Sequence, residues 1–499
     1  MPSVIERSLV HVAIYTLKGV AENRWSRFRF TGWDCDLRYI YYHPMMVPFM
    51  GETEAIAAFI EETTLSDIPK EPREKAKEAI ADLVGVAVYG SHHEIGDQIT
   101  QFVEADSPGN AATVFARGTA SATGAALANA TFGHAVDYDD TFESIVIHPT
   151  SPVFAAALAT AEEVDATGAE VLTDYLVGVD VAYRIGHSTY PSHYDNGWHS
   201  TGTMGTFGAT AAAASTIGLD KDEIEYALGI SASMSSSLKK NFGTMTKPLH
   251  SGHAAQMGVR SAKLAANGFT SDSSVFEGDI NYGDVMTVGD TYEPVELTKE
   301  LGETWAVMDI GYKPYPSGVI THAAMDAFRE IIVDNDLKPE DIKRVAVSLD
   351  DAASEMLHHE NPQNELEAKF SIEFCLAAVL RERDPSIHEF TDEYVTAPET
   401  RAQITKVERD FKQNLFGGNF ANYAARVSVE TTDGDSFTNE MKYAPGHPTN
   451  PISEKRLRAK FDECTRDVLS DGDSETLYEA IQSLDSSDGL DRLTDAISI

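Results

Sequence analysis

The feature that most constrains this chain is a polar stretch set between two runs of small, apolar residues. Gly133-His-Ala-Val-Asp-Tyr-Asp-Asp-Thr141, followed by His148-Pro149, gathers acids, a hydroxyl and imidazoles into a few turns of chain. Residues 119–132 before it and 153–164 after it carry Ala, Leu and Val at helical spacing, which predicts two buried helices meeting at a polar junction. Burying His134, Asp137, Asp139, Asp140 and His148 this close together is costly unless they pair or bind something. The competing reading is a capped helix junction, with Asp and Thr satisfying backbone N–H groups.

Similar small-residue runs at 201–215, 231–237 and 251–266 predict helices whose backbones approach closely, with Gly202, Gly205 and Gly208 at the contacts. From Glu52 to Trp305 the pattern is helical throughout. Asp220-Lys-Asp-Glu223 marks one helix start as a capping box, and Pro191, Pro248 and Pro294 are expected between helices. Near Met308 the pattern changes. Beyond a helix at 319–333, period-two alternation predicts strands at 342–349, 425–431 and 436–443, the last pair joined across Thr432-Asp-Gly-Asp435 as a hairpin. After Pro451 acidic amphipathic helices return at 453–469, 475–484 and 490–497. The expected fold class is α + α/β: a large all-helical domain over 50–308 and 450–499, with an inserted smaller α/β lid domain at 309–449.

Composition narrows the function classes. A net charge of −40, from 79 acidic and 39 basic residues, is spread along the chain and not gathered into a tail. Such a carboxylate coat suits a salt-rich cytoplasm and argues against nucleic acid or an anionic membrane as partner. No run approaches the roughly 18–20 apolar residues that span a bilayer. Cys35, Cys375 and Cys464 lie far apart without CxxC spacing, so neither a disulfide framework nor a zinc site is expected. In residues 1–49, Arg7, Lys18, Arg24, Arg27, Arg29 and Arg38 outnumber the acids. That segment is expected to be poorly packed, with the reading frame starting at Met50.

Other patches carry chemistry. Gly197-Trp-His199-Ser-Thr-Gly places an imidazole at a helix start that favours an anion. Lys247-Pro-Leu-His250-Ser-Gly-His253 adds a cation and two imidazoles, and Gly311-Tyr-Lys313-Pro-Tyr315-Pro-Ser317 a second lysine, with His322 beyond. Lysines among apolar and glycine-rich neighbours in so acidic a chain point to an anionic ligand, and two of them to more than one carboxylate. The bland alternatives are that Lys247 caps a helix and that Lys313 pairs with Asp309. Together with His199 and the 137–148 cluster, the set suits removal of a proton next to a carboxylate, with cations stabilising the charge and an acid assisting a leaving group. Metal chemistry is disfavoured: His250 and His253 stand at i, i+3 without a third ligand of fixed spacing, HExxH is absent, and His92-His93-Glu94 reads as an exposed helix end. No Rossmann fingerprint or P-loop is present.

In order, His134-Ala-Val-Asp137-Tyr-Asp-Asp-Thr141 with His148-Pro149, Gly197-Trp-His199-Ser-Thr-Gly, Lys247-Pro-Leu-His250-Ser-Gly-His-Ala-Ala, Gly268-Phe-Thr and Tyr312-Lys313-Pro-Tyr-Pro resemble the MmgE/PrpD family from Glu52 onward. The resemblance implies a helical domain with an α/β lid, a homodimer, a tricarboxylate substrate, and no metal or organic cofactor. It implies Asp137, Thr141, His148, His199, Lys247 and Lys313 as catalytic residues; Lys247, Lys313, His199, Tyr315 and His253 are expected as substrate contacts. Members include 2-methylcitrate dehydratase, cis-aconitate decarboxylase and iminodisuccinate epimerase. The expected activity is dehydration of 2-methylcitrate to 2-methyl-cis-aconitate, with decarboxylation, epimerisation or tricarboxylate binding without turnover as alternatives. Ser317 stands where the family's lid motif often has Cys, which weakens any role for a thiol.

Overall fold

Small side chains set the spacing of the helical body. The computed structural model describes residues 51–417 and 423–498, so the expectations for residues 1–49 and for Cys35 lie outside the described residues. The body runs through α1 (Glu52–Glu62), α2 (Lys70–Ser91), α3 (Glu94–Asp106), a hairpin of β1 (Ala112–Val114) and β2 (Gly118–Ala120), α4 (Ala122–His134), α5 (Thr150–Val164), α6 (Gly168–Thr189), α7 (Ser200–Ile217), α8 (Lys221–Met234) and α9 (Thr246–Ala266). α7 packs on α5, α6 and α9, and α4 on α2, α5 and α9. These crossings need glycine: a Cβ on Gly208 would sit 2.7 Å from the Gly178 carbonyl, and one on Gly205 2.9 Å from Pro152. Close backbone approach of this kind replaces large-residue interdigitation as the source of packing density.

Local signals account for the helix ends. Asp220 caps α8, its Oδ1 accepting from the Glu223 N–H at 3.0 Å while Glu223 bonds back at 3.2 Å. α4 begins later than the periodicity predicts because 118–120 pair antiparallel with 112–114. Pro248 lies in the first turn of α9 and not between helices, at a position whose N–H would go unbonded in any helix. The stretch 231–237 is not one helix: α8 stops at Met234, and Ser237 instead exchanges bonds with His199.

Beyond Lys313 a second core forms. α10 (His322–Asp334) and α11 (Ile372–Glu382) cover a sheet of β3 (Ile342–Asp350), β4 (Val407–Lys412), β5 (Ala425–Thr431) and β6 (Ser436–Met441). The strand order is β4-β3-β5-β6, with β3 and β4 parallel and the other pairs antiparallel. β5 alternates buried and half-buried residues, the pattern of a sheet with one covered face. The expected hairpin joins β5 and β6, whereas β4 has no counterpart in the predicted strands. Cys375 and Cys464 are buried free thiols.

The chain then returns to the helical body. α12 (Glu454–Thr465) and α13 (Asp471–Gln482) pack on α2, and α14 (Gly489–Ile497) packs on α6. Lys460 of α12 is buried, its Nζ 2.7 Å from Asp82 Oδ1 on α2 and 2.6 Å from the Tyr138 carbonyl. One ammonium thus ties the C-terminal helices to the polar junction. Among the described residues no helix is long and apolar enough to cross a membrane.

Candidate active site

The site forms where α4 ends. The chain leaves His134 and turns through Asp137, whose φ of 56° lies in the left-handed region that Asp tolerates better than most residues. Lys313 Nζ then donates to both the Asp137 carbonyl, at 2.9 Å, and Asp137 Oδ1, at 2.5 Å. A short backbone pairing delivers that lysine: Thr141 and Gly311 exchange N–H···O bonds of 2.9 Å, and the Tyr312 N–H donates to the Gly446 carbonyl at 2.9 Å. Gly446 is required there, because its φ is 98° and a Cβ would collide with the Tyr312 carbonyl.

Lys247 reaches the same oxygen from the first turn of α9. Its Nζ lies 2.8 Å from Asp137 Oδ1 and 3.2 Å from His134 Nε2. His134 Nδ1 in turn bonds both Asp139 carboxylate oxygens, at 2.9 and 3.0 Å. His148 Nδ1 donates to the Asp140 carbonyl at 2.8 Å. A carbonyl only accepts, so the neutral ring carries its proton on Nδ1 and leaves Nε2 bare; that atom is 3.9 Å from Asp137 Oδ1. His199, at the start of α7, is held by its carbonyl accepting from Ser237 Oγ at 2.7 Å. Its Nδ1 stands 2.9 Å from the Nδ1 of His250, so one of these rings donates and the other accepts. Thr141 Oγ1 donates to the Ile147 carbonyl at 3.3 Å and closes the loop that carries His148.

Burial governs the electrostatics. It pushes the His134, His148 and His199 imidazoles below their usual value, with the Lys247 charge acting in the same direction, and holds them neutral. It also lowers His250 to about 4. Burial alone would raise the Asp137 carboxyl, but the Lys247 and Lys313 ammoniums outweigh it and hold the group well below the usual carboxylate range. Burial pulls Lys247 down against the opposing charge of Asp137.

The structure therefore brings together Asp137, His148, His199, Lys247 and Lys313, with Thr141 supporting the loop. It does not bring Tyr315 or His253 to them. Tyr315 is buried in the core of the α/β unit with its ring against His322, and His253 Nε2 donates to the Met234 carbonyl at 3.2 Å. Lys313 does not pair with Asp309, which accepts from Tyr183 instead at 2.7 Å. His92-His93-Glu94 is a helix junction with His92 and Glu94 exposed, as expected, but His93 is half-buried, its Nε2 2.8 Å from Glu365 of the α/β unit. Sequence reasoning missed Glu143, a buried carboxyl that burial raises to about 8 although Lys313 opposes the shift. Nothing in its neighbours distinguishes it from the many solvating acids. It also left His134, Asp139 and His250 without roles, although their spacing had placed them near the site.

His134, Asp137, Asp139 and His148 have ligand atoms within 4.8 Å of one another. Of these atoms, His148 Nε2 and Asp137 Oδ2 are without a hydrogen bond among the described residues, but the others are committed to protein partners. His134 and Asp139 bond each other, and Asp137 Oδ1 already meets two ammoniums, against which a dication would have to sit. An anion is the better fit. A cavity of about 1130 Å³ adjoins the cluster, lined by Tyr190, Tyr194, Lys239 and Phe242 of the helical body and by Met356 and His358 of the α/β unit. Phe242 forms the shared wall: its ring is 4.9 Å from that of His199, and Lys247 Nζ lies 5.5 Å from its centroid.

A buried acid–base cluster beside the join of a helical body and a mixed α/β unit defines the class of site. Residues 54–295 match the MmgE/PrpD N-terminal domain and residues 315–486 the MmgE/PrpD C-terminal domain, and the chain belongs to this family. It is 26% identical over 448 residues to the cis-aconitate decarboxylase of Homo sapiens, covering 87% of this chain and 92% of that protein. It is also 26% identical over 472 residues to the cis-aconitate decarboxylase of Aspergillus terreus, covering 89% and 94% of the two chains.

Proposed function

We propose that the protein is a cofactor-independent lyase acting on a tricarboxylate, and that it dehydrates 2-methylcitrate to 2-methyl-cis-aconitate. The observation that carries this reading is the convergence of two lysines on one carboxylate oxygen beside a bare imidazole nitrogen. An ammonium has three N–H donors. Lys313 commits two to Asp137, and Lys247 one each to Asp137 and His134, so each retains a donor for a substrate carboxylate. His148 Nε2 is the base: it takes the C–H proton next to a carboxylate, the electron pair forms the double bond, and the C–O bond breaks. Glu143 lies in the loop that the Phe142–Ile147 pairing closes ahead of His148 and is protonated below about pH 8; it supplies the acid, its proton going to the leaving hydroxide, which departs as water. Lys247 and Lys313 stabilise the enolate-like charge as it develops.

The relatives favour a second reading, decarboxylation of cis-aconitate. There the bond to one carboxylate breaks, carbon dioxide leaves, and the electron pair left on carbon takes the proton. In either case the chain is taken to work in the cytoplasm as a homodimer. The α/β unit would act as an inserted lid, with the His93–Glu365 pair fastening it to the body.

Chelator-treated protein incubated with 2-methylcitrate, cis-aconitate and iminodisuccinate, followed by proton NMR, tests the assignment. Formation of 2-methyl-cis-aconitate supports it. Carbon dioxide release from cis-aconitate alone selects the second reading, interconversion of iminodisuccinate stereoisomers makes the protein an epimerase, and saturable binding without turnover makes it a tricarboxylate-binding protein.

A further inference from the structure

Asp139 contacts neither lysine, and its side chain is fully buried at the centre of the network, bonded to His134 and with Oδ1 3.5 Å from His148 Nδ1. A carboxylate can only accept hydrogen bonds. Because both Asp139 oxygens face His134 Nδ1, the proton of that neutral ring must sit on Nδ1. His134 Nε2 is then a bare acceptor, and it is the atom that meets Lys247 Nζ. Were the proton on Nε2, an N–H would point at an ammonium. The tautomer of His134 thus decides whether Lys247 keeps its proton and where its third N–H points.

We propose that Asp139 is a positioning residue for Lys247: by fixing the Nδ1–H tautomer of His134, it keeps Lys247 as an ammonium with one N–H directed at the substrate carboxylate. This rests on the tricarboxylate reading only for the identity of the anion. Of the two lysine N–H bonds made to protein, one goes to Asp137 of the turn after α4 and one to His134 of α4 itself, which leaves the third to the ligand. The charges around Lys247 are Asp137, Asp139 and Lys313, and the imidazoles facing it are His134, His148, His199 and His250. Burial, Lys313 and any charge on these imidazoles act against its proton, and the two carboxylates act for it. Losing Asp139 therefore removes both a charge that favours the ammonium and the partner that orients its acceptor.

Two measurements test this. In a neutron structure of the deuterium-exchanged protein, His134 should carry deuterium on Nδ1 and none on Nε2; deuterium on Nε2 overturns the proposal whatever the substrate is. In kinetics, Asp139→Asn should lower kcat/KM about tenfold or more and move the alkaline ionisation that belongs to Lys247, and not the one that belongs to Glu143, about one pH unit to the acid side. Asp139→Asn added to His134→Phe should cost nothing further, since Asp139 acts through that ring. Additive losses, or an alkaline limb that does not move, would show that Asp139 serves only the packing of the loop. Wild-type protein that turns over no tricarboxylate would sink the substrate assignment and leave the neutron result to decide the role of Asp139.

Discussion

Lys247 and Lys313 meet at a single atom, Oδ1 of Asp137, at 2.8 and 2.5 Å. They arrive from positions 110 and 176 residues along the chain, one from a helix of the body and one from the irregular segment that leads into the second core. Two ammoniums are held together only because one carboxylate and several neutral imidazoles face them. Removing one of these cations removes a preorganised donor at the reacting centre. Lys247→Ala is therefore expected to cost about 3 kcal/mol or more of transition-state stabilisation, roughly a hundredfold in kcat/KM. Steady-state kinetics on 2-methylcitrate check this, and near-normal turnover would remove Lys247 from the mechanism.

Glu143 gives a pH signature. Its folded-state value of about 8 is raised from 4.5, so between these values the folded chain holds a proton that the unfolded chain has released. Stability from this group is full below pH 4.5 and falls as pH rises toward about 8, by up to about 1.4 kcal/mol per unit. Glu143→Gln should gain stability relative to wild type across that window in urea unfolding, with the difference flat above it. The same variant should lose about a hundredfold in kcat, and with it the fall in activity as pH passes through the Glu143 value. A parallel pair of stability profiles would show that Glu143 is not protonated in the fold.

Lys460 tests how the C-terminal helices support the site. Its partners are the buried Asp82 and the Tyr138 carbonyl, which lies next to Asp137 in sequence. Lys460→Ala should destabilise the protein by about 3–5 kcal/mol, because it leaves a buried carboxylate unpaired. Adding Asp82→Asn should restore part of that stability. Activity should not recover with it, since the Tyr138 carbonyl stays untethered. Full recovery of both would separate the C-terminal helices from the site.

Much of this site was legible because its residues lie in short contiguous motifs, and a buried polar junction between small-residue helices has few physical solutions. The pairing was not. The bond between Asp139 and His134 and the contact between His199 and His250 depend on ring orientations that spacing does not encode. Tyr315 and His253 stand beside residues of the cluster in sequence but face elsewhere, one into the second core and one toward the Met234 carbonyl. β4 was missed because it is an edge strand whose Val-Glu-Arg-Asp-Phe-Lys sequence is mostly charged, with Val407 its one fully covered residue. The strands β3, β5 and β6 were read because burial of one face writes alternation into them.

The surface makes a separate prediction. With a net charge of −40, self-repulsion opposes the folded state, and salt at about 1 M shortens the Debye length to about 3 Å. The midpoint of thermal unfolding should rise from low to molar KCl. A flat response would mean that the carboxylate coat does not limit stability.

The most direct test of the account is turnover in deuterium oxide by wild type and by His148→Gln. If His148 Nε2 removes a proton next to a carboxylate, wild-type protein stopped short of completion should return 2-methylcitrate with deuterium at that carbon, or show a primary isotope effect on substrate deuterated there. His148→Gln should show neither, with turnover reduced by at least about a hundredfold. Undiminished turnover in His148→Gln, or no conversion of any tricarboxylate by the wild type, would contradict it.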